Sequence, residues 1–211
     1  MANKLNINPT RQELLKLKVR LKKAQHGHKL LKEKRDGLMK EFMSIIRSAK
    51  ELREKIELEL GEGFASFIFA SANMKPEAMN EALMLPAKKI SLEAETKNVM
   101  SVNIPSFTFH EEGDFLSYGL SSTPAELDSA LEIFNNTLKA MVELAAVEHS
   151  AKLLADEIEK TRRRVNALEY VYIPDMGETI KYITSKLEEQ ERGARIVLMK
   201  IKETMEKQEK Q

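Results

Sequence analysis

An unbroken heptad repeat near the start of the chain constrains the fold more than any other feature. Between Arg11 and Leu60, positions taken three and four residues apart from Leu14 are apolar in eleven of fourteen cases. The phase of the repeat does not slip, and Thr10 with Glu13 forms a capping box that predicts where the helix begins. About 50 helical residues extend roughly 75 Å. The repeat therefore predicts a long coiled-coil helix whose apolar seam has to be covered by a second helix.

A second heptad segment occupies the last 90 residues. Thr123 is a favoured N-cap residue, and Pro124 and Glu126 suit the first turn of the helix that follows it. Apolar positions continue at heptad spacing to Tyr172, with one residue skipped, and they resume after Pro174. Because proline lacks an amide hydrogen and crowds the preceding turn, we expect a kink or a break at Pro174.

The segment between the two heptad regions has a different character. Glycine and proline recur between residues 61 and 121, and residues 90–96 alternate apolar and polar side chains, as a half-exposed strand does. We expect a turn at Lys97 and Asn98, and a partner strand from residues 99–102 and 107–109. This segment therefore predicts a small head that contains a short β-hairpin.

These features predict an all-α-dominated fold, a long antiparallel two-helix coiled-coil hairpin with a small central head. The segments are an N-terminal coiled-coil helix (1–60), the head with short helices and the β-hairpin (61–121), and a C-terminal coiled-coil helix kinked near Pro174 (122–211). If Leu60 lies near Glu126, Arg11 lies near Asp175 and the rest of the chain overhangs the first helix. The chain ends then meet at one end of the hairpin and the head lies at the other. This register brings together a set of basic residues that we call the basic collar: Lys22, Lys23, Arg162, Arg163 and Arg164.

Composition excludes several classes of function. The chain has no cysteine, which rules out disulfides, thiolate metal sites and cysteine nucleophiles. Charged residues make up 32% and aromatic residues 6%, a balance typical of long helices. There is no phosphate-binding glycine loop and no His-Glu-x-x-His motif, and His26 and His28 lie on different helix faces. We therefore expect no catalytic, cofactor-binding or metal-binding residue.

The sequence shows no sign of membrane insertion. It contains no apolar run long enough for a transmembrane helix, and residues 1–8 lack the layout of a signal peptide. We expect a cytoplasmic protein.

The basic collar is open to three interpretations. Residues 11–40 carry 11 Lys or Arg against 3 Asp or Glu, and such a run is usually a solvated helix face. Nucleic-acid binding is a second interpretation, because Lys and Arg neutralise phosphates, although no aromatic residues alternate with these charges to stack on bases. The third is contact with an acidic ring of protein subunits.

Several stretches of the chain resemble one protein family, the D subunits of the V-type and A-type rotary ATPases. The opening of that family is similar to residues 8–11, 14–21 and 27–36, and its most distinctive stretch is similar to residues 161–174, with 179–183, 187–189 and 191–192 continuing the match. The resemblance covers roughly half the chain and lies in both long helices. Two separate motifs in the right order are far more specific than a heptad repeat.

The resemblance implies a non-catalytic subunit that forms the central rotor shaft of such a complex. Family members stand inside a three-fold ring of alternating A and B subunits, and the small F subunit binds beside the lower coil. The lower end engages a funnel-shaped protein (called d, or C in prokaryotic naming) above the membrane rotor. Other subunits hold the nucleotide and translocate protons or sodium ions, so the shaft needs no cofactor and lies peripheral to the membrane.

Within this framework we assign candidate contact residues. The hypothesis for the A/B ring names Arg11, Lys22, Lys23, Arg162, Arg163 and Arg164. The assignment for the F subunit names Ile45, Ala49, Leu52, Ile56, Leu131 and Leu138.

Two alternatives belong to other functional classes. A coiled-coil nucleic-acid-binding arm, like those appended to some tRNA synthetases, would bind RNA or DNA with an affinity that falls steeply with salt. A scaffold that homodimerises through its seam would show a mass near twice 24.1 kDa.

Overall fold

The computed structural model describes residues 5–85, 88–114, 116, 118, 119 and 123–208, with side chains up to residue 205. The elements in chain order are α1 (Arg11–Asn73), α2 (Pro76–Leu83), β1 (Lys89–Val99), β2 (Val102–Glu112), α3 (Ala125–Ala167), a π-helical turn (Leu168–Tyr172) and α4 (Ile173–Gln208). The predicted fold class is confirmed, since two long helical segments flank a two-stranded antiparallel sheet. The chain divides into two compact units, which we call the terminal unit (Met1–Asp36 with Glu159–Gln211) and the middle unit (Gly37–Ile158).

The two predicted N-caps have different outcomes. The amide of Glu13 donates to Thr10 Oγ1 at 3.3 Å, so Thr10 caps α1 as expected. The hydroxyl of Thr123 instead donates to the carbonyl of Gly119 at 3.3 Å, and α3 begins two residues later at Ala125.

Helix α1 is longer than the heptad pattern predicted. It continues to Asn73, thirteen residues past the expected end at Leu60, so Gly61 and Gly63 lie inside it. Gly63 is buried, and a Cβ atom added there would come within 3.0 Å of the Phe134 ring on α3. Gly63 is therefore a close-packing position and not a helix stop, because the ring from α3 fills the space that a side chain would need.

In the terminal unit, the start of α1 packs antiparallel against α4. The core residues are Leu17, Met176 and Ile183, with Ile7, Leu14, Leu21, Ala24, Ile180 and Leu187 packed around them. Arg11 forms an ion pair with Glu191, and His28 Nε2 lies 3.3 Å from Glu169 Oε2. The predicted pairing of Arg11 with Asp175 is therefore wrong by sixteen residues. The expected register assumed that α1 ends at Leu60, and its greater length moves the pairing partners along the second helical segment.

A π-helical turn separates α3 from α4. It spans Leu168–Tyr172, and the amide of Ile173 donates to the carbonyl of Leu168, five residues back. In an unbroken heptad repeat, residues seven positions apart lie on the same face of the helix. Half-buried Leu168 and buried Met176 lie eight positions apart on the buried face, so the π-helical turn inserts one extra residue into the repeat. Tyr172, which the heptad pattern placed in the seam, is 58% exposed for this reason.

Pro174 does not end the helix. Helix α4 begins at Ile173 and continues through the proline position. Proline cannot supply the amide that α-helical bonding directs to the carbonyl four residues earlier. That carbonyl belongs to Tyr170, inside the π-helical turn, where the hydrogen-bond ladder is already shifted by one residue. The proline is thus accommodated within an existing irregularity.

The β-hairpin forms in the middle unit, with its turn displaced from the predicted position. Strands β1 and β2 pair antiparallel across Met100 and Ser101, whereas the sequence predicted a turn at Lys97 and Asn98. The two turn residues have φ values of 50° and 71°, as a two-residue type I′ turn requires. The Asn98 side chain accepts a hydrogen bond from the Ser101 amide at 3.2 Å. Asn98 therefore supports the turn from the strand, which explains why its residue type suggested a turn there.

The hairpin lies alongside α1 and α3, not beyond the end of the helix pair as predicted. Two of its residues, Val102 and Ile104 of β2, belong to a cluster with helix residues: Leu38, Phe42, Ile45, Leu153, Leu154 and Ile158. At the turn, Met100 rests against Gly37, where an added Cβ would lie 2.7 Å from Met100 Cε. A two-stranded hairpin has no core of its own, so Val102 and Ile104 of β2 pack against the helices, while Ile90 and Leu92 of β1 stay exposed.

The short helix α2 packs where α1 meets the start of α3. Met79 of α2, Ala70 of α1 and Leu127 of α3 are buried in one cluster. The start of α3 therefore pairs with Ala70 and not with Leu60, a shift in the same direction as in the terminal unit.

Candidate interaction surfaces

The six residues assigned to the A/B ring all lie exposed in the terminal unit: Arg11, Lys22, Lys23, Arg162, Arg163 and Arg164. Two of these charges are partly neutralised within the chain, since Arg11 pairs with Glu191 and Arg163 with Glu159. Within the described parts of the chain, no acidic side chain pairs with Arg162 or Arg164. These two guanidinium groups are available to an external anion or carboxylate.

The structure separates the two halves of the basic collar. Because His28 lies against Glu169, antiparallel pairing puts Lys22 and Lys23 beside residues five or six positions further along the second helical segment. The three arginines then lie about 15 Å away along the helix axis. The predicted juxtaposition of lysines and arginines is wrong, for the same register reason as above. The six basic residues are therefore spread along the terminal unit, and we call them the basic band: Arg11, Lys22, Lys23, Arg162, Arg163 and Arg164.

Two interhelical pairs link α1 to the second helical segment in the terminal unit. The Arg11 guanidinium donates to the Glu191 carboxylate and holds the pKa of that carboxyl below its ordinary value. His28, a polar residue in the predicted seam, has a 20% exposed side chain and faces Glu169. Both pairs sit at fixed points along the helices, so a slipped register would break them.

The π-helical turn exposes three consecutive large side chains. Tyr170 is 72%, Val171 51% and Tyr172 58% exposed. Sequence reasoning missed this surface because it counted Tyr172 as a seam residue. The sequence did contain a signal for this surface. Two of the chain's 4 tyrosines lie two positions apart, in the same stretch as the three consecutive arginines.

The last part of α4 carries an uncovered apolar surface. Every side chain from residue 188 to residue 205 is exposed. The large apolar residues here are between 50% and 65% exposed: Ile196, Val197, Leu198, Met199, Ile201 and Met205. A contiguous apolar surface on a helix marks a site of contact with another protein.

A second uncovered apolar surface lies near the end of α1 in the middle unit. Phe64, Ile68 and Phe69 are 55%, 65% and 67% exposed. The Phe64 ring also packs edge-to-face on Phe134, with ring centroids 5.4 Å apart. The end of α2 adds further exposed apolar side chains: Leu83, Met84 and Leu85. The signal in the sequence was apolar residues that fall outside the heptad phase after Gly63.

A groove of about 580 Å³ lies between the hairpin and the two helices of the middle unit. Ile45 of α1, Phe107 and Phe109 of β2, and Lys139 of α3 are among the residues that line it. At the open end of the hairpin, Glu111 accepts a hydrogen bond from Lys139 at 2.5 Å and pairs with Lys88. These ammonium groups lower the pKa of Glu111, Lys139 most strongly. The Lys139 pair ties the hairpin to α3.

The residues assigned to the F subunit lie in the seam of the middle unit. Ile45, Ala49, Leu52, Leu131 and Leu138 are half-buried and Ile56 is 4% exposed. Seam side chains are largely used by the helix pair itself. The apolar residues that a partner would meet first on this part of α1 are Met39, Met43 and Ile46, which are 43%, 45% and 39% exposed.

The described residues contain neither a candidate metal site nor a candidate membrane-spanning helix. No group of three or more His, Asp or Glu among them could hold a metal ion. No helix in the described ranges is both long enough and apolar enough to cross a membrane. The two neighbouring histidines do not converge, since His26 is exposed and His28 faces Glu169.

Known proteins match this chain over most of its length. Residues 13–203 match the family model that describes the D subunit of ATP synthase. A protein of Clostridium novyi, named as the D subunit of a V-type ATP synthase, is 50% identical over 211 residues, which cover 98% of each chain. The protein of the same name from Acetivibrio thermocellus is 52% identical over 205 residues, which cover 95% of this chain and 92% of that protein. The similarity includes both long helices and the hairpin between them.

Proposed function

The chain belongs to the D-subunit family of ATP synthases and is a non-catalytic component of a V-type rotary ATPase complex, and from this premise we propose that it is the central rotor shaft of that complex. In this role it transmits torque between a ring of A and B subunits, where ATP is hydrolysed or made, and the membrane rotor that moves ions. The shaft itself lies peripheral to the membrane.

The observation that carries the proposal is the uncovered apolar end of α4. Six large apolar side chains between Ile196 and Met205 are at least half exposed. Such a surface needs cover from other subunits. Apolar contact is non-directional, so a shaft end held in an apolar sleeve can turn without breaking fixed hydrogen bonds at each step.

The basic band supplies the second support. Its exposed members, Arg11, Lys22, Lys23, Arg162, Arg163 and Arg164, are proposed to meet acidic groups of the ring. Charge contacts of this kind orient and select a partner more than they raise affinity. They suit a contact that has to be broken and remade during rotation.

The middle unit is proposed to hold the other two partners. The exposed stripe of Met39, Met43 and Ile46 is where the F subunit would dock, next to the seam residues named above. Methionine side chains adapt to irregular partner surfaces. The apolar surface around Phe64 and Phe69 is proposed to enter the funnel-shaped protein (d, or C) above the membrane rotor.

The coupling follows from symmetry. A single asymmetric shaft cannot touch three equivalent catalytic pairs identically, so it favours a different conformation at each of them. By reciprocity, each nucleotide state favours one shaft angle. Helix α1 is continuous over 63 residues, and an uninterrupted helix paired along its seam resists the twist that torque applies.

The direct test is co-purification of this chain with A, B and F subunits from its own source, followed by native mass spectrometry. We expect one copy per three A and three B subunits, with F attached. A homodimer that ignores A and B would contradict the proposal and favour a scaffold. Salt-sensitive binding to RNA or DNA without ring binding would favour a nucleic-acid-binding arm.

A second test neutralises the arginine part of the band. Replacing Arg162, Arg163 and Arg164 together by Gln should lower the coupling between ATP turnover and ion transport in the reassembled complex. All three side chains are exposed, so the helix content measured by circular dichroism should not change. Unchanged coupling would refute the role of these charges.

A further inference from the structure

We propose that the π-helical turn is a docking surface on which Tyr170 and Tyr172 anchor the shaft to an acidic face of the A/B ring, with Arg162 and Arg164 as flanking cations. This inference rests on the proposed function and deepens it by assigning one contact to named residues and to a partner of stated chemistry.

The first support is the geometry of the turn. In a regular heptad, Tyr172 lies four residues after Leu168 and would face α1. The extra residue of the π-helical turn rotates it outward, and the seam resumes at Met176. Such turns are rare inside α-helices and occur frequently at functional sites. Here the effect of the turn is to place the Tyr172 ring in solvent beside Tyr170, which lies outside the seam in either case.

The second support is the kind of side chain exposed. Tyr170 and Tyr172 are 72% and 58% exposed, with Val171 between them at 51%. A tyrosine buries about 150–250 Å² when it is covered. Tyrosine and arginine are also among the residues that dominate binding energy at protein interfaces. Three adjacent exposed side chains of this size offer a partner a large area to cover.

The third support is charge, which selects the partner. Two acidic side chains close to the turn have partners within the chain: Glu159 pairs with Arg163, and Glu169 lies 3.3 Å from His28 Nε2. Asp175 also takes part in an interaction within the chain. Among the residues that the structure describes, no carboxylate neutralises Arg162 or Arg164.

The guanidinium groups of Arg162 and Arg164, unpaired within the described residues, make the α3 side of this surface basic, and the complement of that side is acidic. A guanidinium group forms paired hydrogen bonds with a carboxylate, and a tyrosine hydroxyl can donate to one. Tyr170 and Tyr172 are two residues apart, so their side chains project in different directions from the convex surface of the helix. This arrangement favours a concave protein surface over a row of stacked bases.

The contact has a consequence for rotation. A ring of three equivalent A/B pairs presents the same acidic face three times, and the single turn can occupy one of them at a time. Occupation of a face holds the shaft at one angle, and release permits the next step. The tyrosines would therefore contribute to the dwell between steps.

The experiment measures binding of the full-length chain, with F bound, to a preassembled ring of A and B subunits. Replacing Tyr170 and Tyr172 together by Ala should weaken binding about 30-fold or more, as expected for two aromatic anchors. Replacing both by Phe keeps the rings and should cost about fivefold or less, the effect of lost hydroxyl hydrogen bonds. The matched control replaces Ile90 and Leu92, exposed on β1 in the middle unit, by Ala and should bind within about twofold.

A charge-reversed variant tests the chemistry of the partner. Arg162→Glu with Arg164→Glu should weaken binding further as salt is lowered, because like charges then repel. If this variant binds more tightly than the wild type, the partner face is basic and the inference is overturned.

The outcomes separate the two levels of the proposal. If the wild-type chain does not bind the ring, the proposed function fails and this inference fails with it. If the wild type binds and the Tyr170→Ala, Tyr172→Ala variant binds equally well, the proposed function stands and the docking surface is refuted. An equal loss in the control also refutes it.

Discussion

The terminal unit and the middle unit use the same helix in different ways. Leu17 and Leu38 are both α1 seam residues, 1% and 0% exposed. Leu17 packs with Met176 and Ile183 of α4, in a two-helix arrangement. Leu38 lies in a cluster that also includes Val102 from the hairpin. One heptad pattern therefore gives two environments, a bare helix pair and a helix pair with a third layer.

This difference determines which unit keeps an uncovered outer surface. The hairpin supplies the middle unit with its own third layer over part of the coil. Within the described residues, the terminal unit has no such layer, and it carries the basic band, the exposed π-helical turn and the uncovered end of α4. A helix pair without a third layer leaves its outer surface exposed. Under the proposed rotor function, this is the surface that would face the ring.

The largest expected effect comes from truncating the two core leucines. Leu38→Ala should lower the free energy of unfolding by about 3–5 kcal/mol, because its cavity lies among three elements. Leu17→Ala should cost about 2–3 kcal/mol, since a two-helix core can collapse more easily. Urea unfolding followed by circular dichroism measures both. Leu15→Ala, at a 64% exposed position, is the control and should change stability by about 0.5 kcal/mol or less. Equal costs at Leu17 and Leu38 would show that the hairpin adds little to the middle unit.

An intermediate effect is expected where the hairpin turn meets α1. Gly37→Leu puts a side chain where Met100 now lies and should lower stability by about 1–3 kcal/mol through overpacking. Adding Met100→Ala should restore part of the loss, because it vacates the same space. Gly27→Leu is the matched change in the terminal unit, where nothing lies within 4 Å of an added Cβ. It should raise stability by up to about 1 kcal/mol through helix propensity. A gain at both glycines would mean that Met100 does not hold the hairpin in place.

The smallest effect expected is a pH dependence at the two ion-paired carboxylates. The pKa of Glu111 lies below its ordinary 4.5, because of hydrogen bonds from Lys139 and Lys88. The pKa of Glu191 is likewise lowered by Arg11. A carboxyl whose pKa is lower in the folded state stabilises the fold above the unfolded pKa, and this contribution is lost as pH falls through the folded pKa.

Hydrogen exchange of the hairpin amides, and separately of the first turn of α1, should therefore speed up as pH falls below about 4.5, after correction for the intrinsic exchange rate. Glu111→Gln should remove the pH effect in the hairpin alone, and Glu191→Gln in the helix pair alone. If either variant removed both effects, the two units would not respond independently.

Much of the local structure was predictable from the sequence. Thr10 caps α1 because the group that accepts the Glu13 amide lies three residues away. The period-two pattern of residues 90–96 correctly predicted β1, and the heptad pattern correctly predicted two long helices. In the candidate surfaces, the exposure of the six basic residues followed from their positions outside the seam. These features depend on neighbours within a few positions, so the sequence contains the information directly.

The sequence by itself determined the helices, the strand pattern and the placement of charge along the chain, but only tertiary packing decided how these parts meet. A heptad repeat matches its partner almost equally well after sliding by a whole heptad, so it could not predict that Arg11 meets Glu191. Gly63 looks like a helix stop until Phe134 fills its space. Tyr172 looks like a seam residue until one extra residue in the π-helical turn rotates it into solvent. In each case the outcome depends on a side chain far away in sequence, or on a one-residue change in helical phase, and both appear only when the helices are packed together.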